Sequence, residues 1–363
     1  YPGSPFQNIP RQGYQGGNGQ PAAAGGGGGA GGAGANAAGT SAGAGGIGLP
    51  YSISGTAKFY AGGGGGGDRL TSGGGGAAGG SGIGGDFVAE FVRDSCSVPF
   101  ISCKSYELPA FVGKNSLVIA SSFSGNTEET LSYYRHASSF TKNIFGITSG
   151  GELLKSLKKD NHDFHILPQG YPPRSILGYT LAVLIKLLDE DELLELLNIE
   201  LLQEYSNKFS LESSEVFTLA KKTHSTFPVI ITEEDLSSIG YRLKCQLNEN
   251  SKMLSYNVTL PEMNHNDIVG WENKLIDKSF FSLIWIDITW PQNVKRMNIT
   301  NEILKHKTSS NHHIQIPSKL KNDLSGLFYL LNYLDWFSYW CGHLNNVDID
   351  AVESIDILKK ELA

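Results

Sequence analysis

The sequence predicts an α/β protein in which a parallel sheet flanked by helices occurs twice, behind a glycine-rich leader. Three observations predict it. From Asp86 onward, short apolar segments of strand length alternate with segments of helical period, the pattern of βαβ units. That alternation runs through once and then repeats, which suggests a duplicated architecture with a site between the halves. Finally, 34 of the 45 glycines fall in residues 1–85, where the charges are confined to Arg11, Lys58, Asp68 and Arg69. At 363 residues the chain is too long for one ordinary domain and suits two of about 150 residues plus an extra piece. The expected division is a leader over 1–72, a first unit over 73–205 and a second over 206–363.

The leader contains runs such as Gly25 to Gly29 and Gly62 to Gly67. Glycine loses the most backbone entropy on ordering and brings no side chain to bury, so the composition reads as a tail or linker. Two islands interrupt it, Ile47 to Ile53 and Ala57 to Ala61. Glycine does not recur at every third position, which excludes collagen.

In the first unit, Phe87, Val88, Phe91 and Val92 predict a helix over Asp86 to Asp94. Val98 to Ser102 reads as a short strand. SLVIA, Ser116 to Ala120, reads as a buried strand, followed by a helix from Thr127. A strand over Asn143 to Thr148, a helix over Gly151 to Lys158 and a strand over Asp163 to Leu167 come next. Pro173 opens an apolar helix to Leu188. A helical stretch from Asp189 to Ser210 joins the halves. The second unit reads as a helix (Glu212 to Lys222), a strand (Pro228 to Thr232), a helix (Leu236 to Glu249) and a strand (Met253 to Val258). Asn266 to Trp271 begins a helix. Phe280 to Ile286 is a strand, Pro291 to Lys307 a helix and His312 to Ile316 a strand. Two helices, Leu324 to Cys341 and Ala351 to Leu362, close the order.

A net charge of −7 argues against nucleic acid as the main partner. No run of 18 apolar residues exists, so no membrane span is expected, and the N-terminus lacks the order of a signal peptide. Cys96, Cys103, Cys245 and Cys341 are scattered without C-x-x-C spacing, which disfavours zinc and redox motifs and suits a reducing cytoplasm. His312 and His313 are neighbours in a strand and face opposite ways, so they make no metal pair.

Three segments carry chemistry. SSFSGNTEET follows the SLVIA strand: small hydroxyl residues and a glycine open a helix, whose first N–H groups and dipole favour an anion. Ser122, Ser124 and Thr127 supply three hydroxyls. An ordinary cap at Thr127 ahead of Glu128 and Glu129 is the alternative, but the donors are denser than a cap needs. GGSGIGGD, Gly79 to Asp86, also precedes a helix. Gly80, Gly82 and Gly85 fit G-x-G-x-x-G, yet Gly73 to Gly76 make a poor strand and no acidic residue ends a second strand, which disfavours a dinucleotide. QLNENSK and PEMNHNDIVGW hold Glu249 and His265, a carboxylate and an imidazole of the kind that move protons at neutral pH. Asn248, Asn250, Asn264 and Asn266 flank them, which suggests an organised polar network.

SSFSGNTEET resembles the sugar-phosphate signature of SIS (sugar isomerase) domains. The trio GGSGIGGD, SFSGNTEETL and NENSK with PEMNHNDIVGW is similar to the bifunctional phosphoglucose/phosphomannose isomerases of archaea and bacteria, from about Gly79 to the C-terminus. The resemblance implies two flavodoxin-like SIS domains and a homodimer with sites near the domain and subunit interfaces. It implies that Gly80, Ser81, Ser122, Ser124 and Thr127 bind substrate and that Arg174, Glu249, His265 and Lys359 are catalytic. Lys360 is the neighbour to which a shift of one position would move the lysine; without the resemblance Lys359 reads as a solvated helix face. The implied substrate is a sugar 6-phosphate, with no cofactor and no metal. The family's apolar strand ahead of the glycine/serine loop would here fall on Gly73 to Ala78, a departure from its pattern. Two other SIS readings remain for comparison. A non-catalytic sugar-phosphate sensor would keep the SGNT loop but not Glu249 and His265 together. The isomerase half of a glucosamine 6-phosphate synthase would need a domain with an N-terminal cysteine, which the leader lacks.

Overall fold

The computed structural model describes residues 18, 36, 49–51, 58–60, 82–93, 96, 98–188, 194, 197–321 and 324–362. The expected strand at Gly73 to Ala78 and the loop residues Gly80 and Ser81 lie outside them. The chain divides into two compact units, Tyr1–Asp191 and Glu192–Ala363.

In the leader, the two islands pair with each other. Strands β1 (Leu49–Tyr51) and β2 (Lys58–Tyr60) are antiparallel, with Leu49 opposite Tyr60.

The rest of the first unit begins with helix α1 (Ile83–Phe91) and continues β3 (Val118–Ser121), α2 (Glu128–Phe140), β4 (Ile144–Thr148), α3 (Gly151–Lys159), β5 (Asp163–Ile166) and α4 (Leu177–Leu187). A 3-10 turn over Pro173–Ile176 leads into α4. The sheet is parallel in the order β3-β4-β5. Val118 and Ala120 point to one side and pack with Tyr133, Tyr134 and Ala137 of α2 and Leu153 and Leu157 of α3. Ile119, between them, is buried on the other side. Parallel strands covered on both faces are apolar throughout, which is why SLVIA shows no alternation. The strand expected at Val98 to Ser102 does not form: Pro99 offers no ladder donor, and the segment runs as irregular chain.

The second unit comprises α5 (Ile199–Phe209), α6 (Glu215–Thr223), β6 (Phe227–Glu233), α7 (Ser237–Ser251), β7 (Tyr256–Leu260), α8 (Asp267–Gly270), β8 (Phe281–Ile286), α9 (Pro291–Leu304), β9 (Ser310–Ile314), α10 (Leu324–Leu344) and α11 (Glu353–Leu362). Its sheet is parallel in the order β7-β6-β8-β9. Val229, Ile231, Val258, Leu260, Leu283 and Trp285 form one face, covered by Met263, Ile288, Met297 and Leu304. That cover is α9 together with the chain after β7 and Ile288 just after β8. The opposite face carries α7, whose Gly240 lies against Asn257 and Thr232, and α7 packs in turn on α10. Leu194 is helical but Leu197 and Asn198 are not, and Asn198 caps α5 by accepting the Leu201 N–H at 3.0 Å. Helix α5 packs on α10 and α6.

Two strand limits move for a physical reason. Met253 donates its N–H to the Leu247 carbonyl at 3.1 Å and so closes α7, which delays β7 to Tyr256. At β9 the Ile316 N–H goes to Asp287 Oδ1 at 2.9 Å instead of a ladder partner, and the strand ends at Ile314. Among the described residues no helix is long and apolar enough to cross a membrane.

Candidate active site

The loop between β3 and α2 is assembled by its own hydroxyls. Ser122 is buried, with its Oγ 2.7 Å from Thr127 Oγ1, and the same Oγ accepts the Gly125 N–H at 3.1 Å. Ser124 Oγ accepts the Asn126 N–H at 3.2 Å. Because Thr127 Oγ1 turns back to Ser122, it makes no cap bond to α2. The positive end of that helix therefore carries Glu128 and Glu129 in its first turn and no side-chain cap. Ser124, Asn126 and Thr127 are exposed at the mouth of the turn.

A second loop buttresses the first. Thr148 to Gly151, at the junction of β4 and α3, has the same hydroxyl and glycine character. The Ser149 N–H donates to the Phe123 carbonyl, and the Leu153 N–H to the Gly125 carbonyl, both at 2.9 Å. Asn126 Oδ1 accepts the Glu152 N–H at 3.0 Å, and Gln169 Nε2 donates to the Ser149 carbonyl at 2.6 Å. Gly125 has φ of +68°, and a Cβ there would stand 1.8 Å from the Gly150 oxygen. Gly151 has φ of +71°, and its Cβ would stand 2.3 Å from the Ser124 oxygen. The loops interlock at two positions that only glycine fits. Thr148 to Gly151 are not among the expected site residues, although T-S-G-G at a strand-to-helix junction repeats the composition of the SGNT loop.

Arg174 is half-buried in the turn that opens α4. The start of α1 meets the same helix, since the position of a Cβ on Gly84 lies 3.1 Å from Thr180 Cγ2. The segment just after Gly80 and Ser81 is thus brought to the start of α4, although those two residues lie outside the described structure.

In the second unit, Glu249 is half-buried in the last turn of α7. Of the asparagines expected to flank it, Asn250 joins a polar network, whose other members are Arg242, Gln246 and Ser251, while Asn248 is exposed. Arg242 Nη2 donates to Asp335 Oδ2 at 2.7 Å and Gln246 Nε2 to Asp335 Oδ1 at 3.0 Å. Asn250 Nδ2 donates to Ser338 Oγ at 2.9 Å, and Ser251 Oγ to the Ser338 carbonyl at 2.6 Å. These bonds fix the end of α7 against α10. Lys252 follows at φ +54°, and its Nζ donates to the carbonyls of Glu249 at 2.6 Å and Ala351 at 2.7 Å. Ala351 leads into α11, on which Lys359 and Lys360 stand.

His265 is exposed, in the chain that leaves β7. Its backbone is held on both sides. Asn264 Nδ2 donates to Thr300 Oγ1 at 2.9 Å, and Asn266 Nδ2 to Glu262 Oε1 at 2.7 Å. Tyr256 OH donates to Asp267 Oδ1 at 2.6 Å, which raises the Tyr256 pKa. Tyr256 belongs to the strand positions of Val258 and Leu260, so this chain covers the face lined by α9. Glu249 belongs to the helix on the opposite face. The structure brings Glu249 together with the approach to α11 and brings Ser122, Ser124 and Thr127 together in one turn. It does not bring Glu249 and His265 together within the unit. Among the described residues no group of three or more His, Cys, Asp and Glu side chains could hold a metal ion.

A parallel α/β sheet with a hydroxyl-lined turn between a strand end and a helix start is the layout of an SIS protein. Residues 212–362 match the family described as "Bacterial phospho-glucose isomerase C-terminal SIS domain". A bifunctional phosphoglucose/phosphomannose isomerase from Caldicellulosiruptor bescii is 36% identical over 296 residues, covering 78% of this chain and 87% of that protein. One from Aquifex aeolicus is 34% identical over 290 residues, with 78% and 87% covered. A solved tagatose-6-phosphate ketose/aldose isomerase from Escherichia coli superposes with a TM-score of 0.56 at 14% identity, covering 76% of this chain and 85% of that one, a likeness of fold. The chain belongs to the bifunctional phosphoglucose/phosphomannose isomerase family.

Proposed function

We propose that this chain interconverts glucose 6-phosphate and mannose 6-phosphate with fructose 6-phosphate through a cis-enediolate. The observation that carries the proposal is the pre-closed Ser122–Thr127 turn, braced by a second loop, in a chain of this family. The turn holds the phosphate with the Ser124 and Thr127 hydroxyls and the first N–H groups of α2, so the sugar is oriented before any bond changes. Gly80 and Ser81 add donors to the same phosphate.

His265, with Lys359, opens the sugar ring by moving a proton at the ring oxygen. Glu249 takes the proton from C2 and returns it to C1, or the reverse. Arg174 offsets the negative charge that develops on the enediolate oxygens, an electrostatic contribution of about 3 kcal/mol in comparable oxyanion sites. The opposite-face positions of Glu249 and His265 support a homodimer, because the strands of one copy stand between the two groups. A second copy then supplies His265. The two units act as tandem SIS domains, in the cytoplasm.

A coupled assay for fructose 6-phosphate, run with each aldose phosphate, tests the reaction. Absence of turnover with both overturns it. A substrate or sulfate soak tests the turn: an anion held elsewhere, with Ser122 to Thr127 vacant, removes the turn from the site.

A further inference from the structure

Lys252 stands at a position built for another residue. It terminates α7 in the left-handed region, φ +54° and ψ +34°. Helices commonly end this way, but with glycine, or less often asparagine, because a Cβ is disfavoured there. A lysine therefore needs a compensation that glycine does not provide. The structure shows it: the ammonium donates to the Glu249 carbonyl at 2.6 Å and to the Ala351 carbonyl at 2.7 Å. The Glu249 carbonyl is one of the last in α7, where the helix ends negative and a cation is favoured. The Ala351 carbonyl belongs to the segment that enters α11, the helix that carries Lys359. One ammonium thus joins the helix end bearing Glu249 to the approach of the helix bearing Lys359.

We infer that Lys252 is a positioning residue, a clamp that sets the end of α7 against the approach to α11 so that Glu249 and the C-terminal helix act on one substrate. It touches neither sugar nor phosphate. Asn250 and Ser251 bond to Ser338 on α10, and Asn345, just past the end of α10, donates Nδ2 to the Ser251 carbonyl at 3.2 Å. They fix α7 on α10, while Lys252 reaches the approach to α11. The inference rests on the assignment of Glu249 as the proton-transfer base.

A cap and a clamp respond oppositely to glycine. Lys252→Gly relieves the backbone and removes the ammonium. If Lys252 only ends the helix, this variant equals or exceeds the wild type in both melting temperature and turnover. If it is a clamp, the melting temperature holds or rises while kcat falls about tenfold or more, the scale of a small misplacement of a catalytic group. KM for fructose 6-phosphate stays near the wild-type value, since the phosphate turn is untouched. Lys252→Arg keeps a cationic donor and restores part of kcat. Lys252→Met keeps the bulk of the side chain and reads the same loss should the glycine variant not fold. Wild-type kcat in both the Gly and the Met variant overturns the clamp. Glu249→Gln in the same assay separates the two claims. Inactivity there beside a fully active Lys252→Gly overturns the clamp alone. Retained turnover in Glu249→Gln overturns the assignment of the base, and the clamp with it.

Discussion

Replacing Glu249 by glutamine removes a base and keeps the outline of the side chain. Isomerisation should fall beyond the roughly 10²–10⁴-fold typical of general acid–base assistance, because no other carboxylate in the motif takes its place. Binding of sugar phosphate, measured by titration calorimetry, should persist, since Ser122, Ser124, Thr127 and Arg174 are intact. His265→Ala should slow the cyclic sugar more than an open-chain analogue, since ring opening is its task. A different carboxyl group governs stability. Asp287 is buried after β8, and that burial, with Glu233 nearby, raises its pKa despite the Ile316 N–H and Lys321. A carboxyl whose folded pKa is raised contributes stability that is full at low pH and lost as the pH climbs through the raised value. Ionised Asp287 is therefore a net cost at neutral pH. Asp287→Asn keeps an acceptor for Ile316 and tolerates the φ of +41°. Its urea midpoint should exceed that of the wild type near neutral pH, and the difference should shrink as the pH is lowered through the raised value.

At the scale of the element, the interlocked loops make a sharp test. Gly125→Ala adds a methyl that meets the Gly150 carbonyl in a left-handed backbone. The turn has to open, and affinity for inorganic phosphate and for substrate should drop by about 10²-fold or more, while far-ultraviolet circular dichroism holds. This turn was legible in the sequence because its signal is local: an apolar strand, then hydroxyls and glycine, then a helix start. The two sheets were legible for the same reason, since strands and helices alternate at βαβ spacing. Val98 to Ser102 misled because its composition suits a strand while Pro99 does not, and a partner is a tertiary fact. The onset of β7 was misplaced because the bond from Met253 to Leu247 extends the end of α7 past Glu249. The separation of Glu249 from His265 was illegible altogether. It depends on β7 standing at the edge of the sheet and on which face the chain covers after Pro261, and chain order carries neither.

At the scale of the whole molecule, the proposed homodimer makes the site a property of two copies. Glu249→Gln and His265→Ala are each expected to be severely impaired alone on the cyclic sugar. Mixed and re-annealed, they should form heterodimers in which one site carries both changes and the other carries neither. Random pairing makes half of the dimers mixed, so about a quarter of the wild-type activity should return. No recovery, with mixed dimers demonstrated by sedimentation, overturns the sharing of the pair. The seat of α7 has a further consequence, in time. Arg242, Gln246, Asn250 and Ser251 find their partners on Asp335 and Ser338, and Lys252 finds one of its two at Ala351. On the ribosome, at about 5–20 residues per second, the helix bearing Glu249 emerges several seconds before the residues that hold it. Its strands can pair in that interval, but the carboxylate has no fixed address. The nascent protein acquires its sheet before it acquires its chemistry, and release of the last hundred residues is what turns one into the other.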